Sequence, residues 1–343
     1  MKKIHQSLLI TLTGMIGLWM PACQTRSTCG PQSQAGTQAA PVMVPAQKST
    51  PASAYEPYKL RTSLQGYLRS IGSDSMDQVI ANWESELGRF HPNLRFRHEG
   101  KGSSTAIPAL LEQRSDIGPM SRAAKDAEIE KFTGKFGYAP TQLTVAIDAL
   151  AVFVHPDNPI LETGLSLDQL ERIFSQSEEP VTRWGQLGLG GRWTDAPIRL
   201  HGRNPASGTY AFFKSKALKK QDYNAGLTEH PGSAEVVAAV AADPYAIGYS
   251  GIAYMTDDVR AAPLQDSEGA VVGANEANAA SGKYPLARNL YITLNIDPAT
   301  GPSDLLKEFM RFAYSKEGQQ TVAEVGYFPV SVEAAKRAAV PFQ

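Results

Sequence analysis

The chain is predicted to be an α/β protein built around parallel strands. Three observations carry this reading. A strand, a small polar turn and a helix follow one another in three separate places. A nearly continuous apolar run, Val145 to Val154, is the kind of strand buried on both faces of a sheet. The length of 343 residues is enough for two domains of ordinary size.

The first unit begins with strand-like alternation in Gly66-Tyr67-Leu68-Arg69-Ser70-Ile71, which Gly72-Ser73-Asp74-Ser75 interrupts. Met76, Val79, Ile80, Trp83 and Leu87 then recur at helical spacing. Ser75 followed by Gln78 reads as a capping box. In the second unit Leu94 to Glu99 alternates, and Gly100-Lys101-Gly102-Ser103-Ser104-Thr105 leads into a helix from Ala106 to Gln113. In the third, Ile198 to His201 is a short strand, and the turn from Gly202 to Thr209 opens the helix of Tyr210, Phe212, Phe213 and Leu218. Ala246 to Tyr249 and Leu290 to Leu294 read as further strands, and Leu305 to Tyr314 as an amphipathic helix. Trp83, Trp184 and Trp193 are expected to be packing residues.

The N-terminus is read as processing rather than fold. Lys2 and Lys3 precede an apolar stretch from Leu8 to Met20, and Ala22-Cys23 follows. This resembles a bacterial lipoprotein signal peptide spanning 1–22, with Cys23 as the lipidated residue. Residues 23–63 are expected to form a disordered tether, because its Gln, Thr, Ser, Ala and Pro cannot bury enough apolar surface to order it. Cys23 and Cys29 are the only cysteines, so the folded part has no disulfide and no thiolate metal site. No later apolar run is long enough to span a bilayer.

The formal charge is −1, which becomes −3 once Lys2 and Lys3 are removed, and this gives no support for nucleic-acid binding. The three turns point instead to a small anion. A helix start carries unpaired N–H groups and about half a positive charge. Glycine permits close backbone approach, and serine and threonine hydroxyls add donors. Parallel α/β sheets gather such loops at the carboxyl ends of their strands.

Several segments together resemble the periplasmic phosphate-binding proteins of phosphate ABC importers. They are Gly102-Ser103-Ser104, Asp116-Ile117-Gly118-Pro119-Met120-Ser121-Arg122, Arg203 with Ser207-Gly208-Thr209, and Ala246-Ile247-Gly248-Tyr249. Ile173-Phe174 followed by Trp184 fits the same pattern, and the resemblance runs from about Leu64 to Val330. It implies a two-lobe periplasmic-binding-protein type II fold with a hinge of crossover strands. Residues 64–146 and 286–343 would form lobe I, and 147–285 lobe II.

The resemblance also implies how the anion is held. Ser73, Asp74 and Ser75 would supply the first contact, Ser103 and Ser104 the second, and Ser121 and Arg122 the third. Arg203, Ser207, Gly208 and Thr209 would supply the fourth, from the other lobe. Arg122 stands where many members have a carboxylate, Asp74 where many have a hydroxyl, and Pro205 where an acid often sits beside the arginine. The implied function is extracytoplasmic capture of inorganic phosphate for import, with permease subunits as partners. The protein is expected to be a monomer, lipid-anchored in the periplasm or at the cell surface.

Other readings are a different oxyanion (sulfate, molybdate or tungstate) or a sensing or adhesion lipoprotein on the same fold. Catalysis is not expected. Ser73, Ser103 and Ser207 lie in no Gly-x-Ser-x-Gly elbow, and no histidine pair has the i, i+4 spacing of a metal helix. Neither a cofactor nor a metal is expected. Asp148 lies on the crossover strand and is left outside the site.

Overall fold

The computed structural model describes residues 54–343. The expected signal segment, Cys23, Cys29 and the tether up to residue 53 lie outside these residues. The first part of the fold comprises β1 (Gln65–Gly72), α1 (Asp77–Phe90), β2 (Asn93–Gly100), α2 (Ala106–Leu111), β3 (Ile117–Met120), α3 (Asp126–Phe136) and β4 (Thr141–Val154). Next come α4 (Ile160–Thr163), α5 (Leu167–Phe174), β5 (Arg199–Arg203), α6 (Gly208–Lys216), β6 (Thr228–His230), α7 (Ser233–Ala241) and β7 (Ala246–Gly251). Short strands β8 (Arg260–Ala261), β9 (Leu264–Gln265) and β10 (Val271–Val272) precede α8 (Glu276–Ala280). The chain ends with β11 (Ala287–Leu294), α9 (Asp304–Ala313), α10 (Lys316–Val325), β12 (Phe328–Pro329) and α11 (Val332–Ala339).

The main strands are ordered β2-β1-β3-β11-β4-β7-β5-β6. β1 runs parallel to β2 and β3, and β5 parallel to β6 and β7. β4 belongs to both groups. Its residues Thr141 to Ala149 pair with β11, and Leu150 to Val154 pair with β7. β4 can do this because Ala149 to Val154 are apolar on both faces and fully buried, so either face can be covered by helices.

The strand–turn–helix units form as expected, because their apolar spacing matches the buried faces. Val79, Ile80, Trp83 and Leu87 turn one stripe of α1 inward, and Trp83 Nε1 donates to Gly318 O of α10 at 2.8 Å. Trp184 and Trp193 are buried and meet edge to face. The Ser75 capping box does not form. Short 3-10 turns, Asp74–Met76 and Ser103–Thr105, lead into α1 and α2, and the Ser75 hydroxyl is engaged elsewhere.

Residues 54–63 depart from the expected tether: they pack on the fold. Tyr55 and Tyr58 are buried, and Tyr55 Oη donates to Val330 O at 2.5 Å. Tyr58 Oη lies 2.8 Å from His91 Nε2 and donates to Glu308 Oε2 at 2.5 Å. Leu64 N–H donates to His91 Nδ1 at 3.1 Å, which leaves the imidazole proton on Nε2, facing Tyr58. A composition poor in apolar residues concealed two aromatic anchors, each with a buried partner for its hydroxyl.

Candidate functional site

The turns after β1, β2 and β3 meet the start of α6. Ser73, Ser75, Ser103, Ser121, Ser207 and Thr209 are all buried. Ser103 Oγ lies 3.2 Å from Ser121 Oγ and accepts the Ser121 N–H at 3.0 Å. Ser75 Oγ and Thr209 Oγ1 are 2.9 Å apart, joining the two groups of strands. Ser207 caps α6 by accepting the Thr209 N–H at 3.1 Å. Gly208 is fixed by crowding: a Cβ there would stand 2.3 Å from Ser103 Oγ and 2.5 Å from Ser121 Oγ.

Arg203 ends β5, and its side chain is fully buried. Its Nη1 lies 2.7 Å from Asp74 Oδ2 and donates to Ser233 Oγ at 2.8 Å, while Nη2 donates to Pro231 O at 2.8 Å. Its backbone N–H rests on Tyr249 Oη, which donates to Tyr223 Oη. Tyr254 Oη donates to Asp74 O at 2.8 Å, and Tyr327 Oη to Ser75 O at 2.6 Å. A buried ion pair of this kind persists only if its remaining donors and acceptors are also met. Among the described residues three nearby polar atoms lack a partner: Ser73 Oγ, Asp74 Oδ1 and Arg203 Nε. They comprise a hydroxyl, a carboxylate oxygen and a charged N–H.

Two expected contacts are placed differently. Arg122 is buried, but its guanidinium forks onto Glu128, Nη1 to Oε2 at 2.7 Å and Nη2 to Oε1 at 2.6 Å. Burial raises the Glu128 pKa, and the Arg122 fork with the Lys125 N–H outweighs it, so the carboxyl lies below its usual range. Both arms of Arg122 are thereby occupied by an acid in the first turn of α3. Ser104 also faces away from the hydroxyl cluster. Its N–H and Oγ both donate to Ala206 O, at 3.3 and 2.9 Å, so it ties the second turn to the fourth.

The sequence reading missed Ser233, Arg288 and the part played by Asp148. Ser233 was detectable, since Pro231-Gly232-Ser233 opens α7 as another small polar helix start. Arg288 is the second residue of β11, in a segment with no local motif. It pairs across the ladder with Asp148, and both side chains are buried. Burial pushes the Asp148 carboxyl pKa up, against the opposing pull of Arg288. Asp77 makes a further pair, its Oδ1 lying 2.7 Å from His98 Nε2. Among the described residues no group of three or more His, Cys, Asp or Glu side chains is placed to hold a metal ion.

Known proteins resemble this chain in sequence and in fold. The model of the PBP superfamily domain matches residues 49–317. The phosphate-binding protein PstS of Pseudomonas aeruginosa is 44% identical over 287 residues, covering 82% of this chain and 88% of that protein. The phosphate-binding protein PstS of Bacillus subtilis is 30% identical over 268 residues, covering 78% of this chain and 81% of that protein. A Clostridium perfringens substrate-binding protein, crystallised with bound phosphate, superposes with a TM-score of 0.65 at 24% identity, covering 78% of this chain and 100% of that one. That last likeness bears on the fold alone. The chain belongs to the PBP superfamily and, within it, to the family of PstS phosphate-binding proteins.

Proposed function

We propose that this protein captures inorganic phosphate between its two groups of strands and delivers it to the permease subunits of an ABC importer. Its part is binding, not catalysis. The lobes would be residues 64–146 with 286–343, and 147–285. Ser73, Asp74, Ser75, Ser103, Ser121, Arg203, Ser207, Gly208 and Thr209 would surround the anion. Ser104 would fasten the two sides, and Arg122 would brace the third turn through Glu128.

The observation that carries this reading is the set of buried atoms without partners. Ser73 Oγ and Arg203 Nε can donate, and Asp74 Oδ1 can accept. Hydrogen phosphate presents oxygens to the donors and a proton to the acceptor. Sulfate carries no proton at neutral pH, so it would meet Asp74 Oδ1 lone pair to lone pair.

The working place would be outside the cytoplasmic membrane, with the protein a monomer. The anchor at Cys23 rests on Lys2, Lys3, the Leu8 to Met20 stretch and Ala22.

Calorimetric titration of the wild type and Asp74→Asn with phosphate and sulfate tests the reading. A buried unpaired charge costs roughly 3–5 kcal/mol. At about 1.4 kcal/mol per tenfold, wild type should favour phosphate by two to four orders of magnitude. Asp74→Asn should weaken phosphate and shrink that preference. Wild type that prefers sulfate, or binds neither anion, contradicts the proposal.

A further inference from the structure

Arg288 and Asp148 are register partners on β11 and β4, one residue from where β4 changes partner from β11 to β7. The two side chains are 1% and 0% exposed. Arg288 Nε donates to Asp148 Oδ2 at 2.8 Å, and Nη2 lies 2.7 Å from the same oxygen. Asp148 Oδ1 accepts the Ile252 N–H at 3.0 Å, which fixes the carboxylate to the turn after β7. Held in this way, the guanidinium reaches both sides of the site. Nη1 donates to Ser121 O at 3.1 Å, in the turn after β3, and Nη2 donates to Thr209 Oγ1 at 3.0 Å, in α6. Its Cζ also lies 5.6 Å from the centre of the Phe212 ring, one turn further along α6.

The second contact constrains the hydroxyls. Thr209 Oγ1 accepts an N–H from Arg288 and shares one further hydrogen bond with Ser75 Oγ. Whichever of the two hydroxyls donates in that shared bond, the other keeps its proton uncommitted. Arg288 fills one acceptor position on Thr209 Oγ1, so the Thr209 O–H must point away from the guanidinium, toward Ser75 or into the site. Its other arm fixes the carbonyl of Ser121, whose side chain borders Gly208.

We propose that Arg288 is a positioning residue for anion capture: anchored to the strands that join the two sides, it holds Ser121 and Thr209 at a fixed separation and orients the Thr209 hydroxyl. This rests on the phosphate-binding reading. The competing explanation is an ion pair that only stabilises the join.

The test uses the full chain with inorganic phosphate. Arg288→Lys keeps the charge opposite Asp148 but cannot span both Ser121 O and Thr209 Oγ1. Calorimetry should show phosphate affinity at least tenfold weaker, and stopped-flow release should be correspondingly faster, in a variant that circular dichroism shows to be folded. The phosphate-induced fall in radius of gyration, read by small-angle scattering, should shrink. Thr209→Val should then cost less in the Arg288→Lys background than in wild type, because the hydroxyl has already lost its orientation. If Arg288→Lys does not fold, Arg288→Gln with Asp148→Asn removes both charges together, and the same losses are expected. Affinity within twofold of wild type with unchanged release, or equal cost of Thr209→Val in both backgrounds, overturns the inference while leaving phosphate binding intact. Wild type that binds no phosphate overturns both.

Discussion

At Asp74 the two carboxylate oxygens have different neighbours. Oδ2 is held by Arg203 and Ser233, and Oδ1 has no partner among the described residues. One oxygen thus secures the residue and the other stays available as an acceptor. Arg203 has a matching division, with Nη1 and Nη2 committed and Nε open. Replacing Arg203 by alanine removes the donor and strands Asp74. Truncating one partner of a buried charged pair costs about 2–5 kcal/mol of binding, roughly thirtyfold to several thousandfold. Calorimetry should show phosphate affinity falling by at least that lower figure, and the unpaired Asp74 should also lower the melting temperature. Arg203 was legible in the sequence because its turn is crowded with glycine, serine and threonine. Arg288 was not, since a side chain aimed along a ladder leaves no trace in local spacing, and its partner lies 140 positions away.

The helix starts of α1, α2 and α6 show how much each unit depends on backbone rather than side chains. Gly102 has φ 100° and ψ 150°, a region open essentially to glycine alone. A Cβ there would also stand 2.4 Å from Ala206 O, in the turn before α6. Gly102→Ala is expected to cost roughly 1–3 kcal/mol of stability from strain, measurable by urea denaturation. It should also weaken phosphate at least tenfold by holding the turns apart, read by equilibrium dialysis. Periodicity made these units readable, but it could not show that the Ser75 hydroxyl would leave its own helix for Thr209. One buried histidine, His91, and two half-buried ones, His201 and His230, supply a pH dependence. Burial holds His91, His201 and His230 below the ordinary histidine value of 6.5, with Glu308 opposing at His91 and each member of the His201–His230 pair next to the other. A lowered folded pKa gives stability that is complete above about pH 6.5 and is lost as pH falls through the folded value. Thermal melts should be flat from pH 7 to 8 and should drop below pH 6.5. His91→Gln should make the drop shallower, and an unchanged slope would clear His91 of this role.

At the scale of the molecule, residues 54–63 bind the fold through Tyr55 and Tyr58, which belong to its core. Glu56 O accepts the Lys316 N–H, Tyr58 N–H donates to Glu317, and the Arg61 and Thr62 N–H groups both donate to Glu308. A chain beginning at residue 64 should melt about 6 °C or more below one beginning at residue 54. The estimate takes at least about 1.5 kcal/mol for each buried tyrosine and about 2 °C per kcal/mol at this size. The path of the chain through the sheet has a consequence for biosynthesis. β11 sits between β3 and β4, yet it follows them in sequence by more than 130 residues. During synthesis the ribosome delivers β1 through β4 long before the strand that must separate β3 from β4. Until then both present bare hydrogen-bonding edges, and the Asp148 carboxylate has no counter-ion. The sheet of this half therefore closes only when nearly the whole polypeptide has been made.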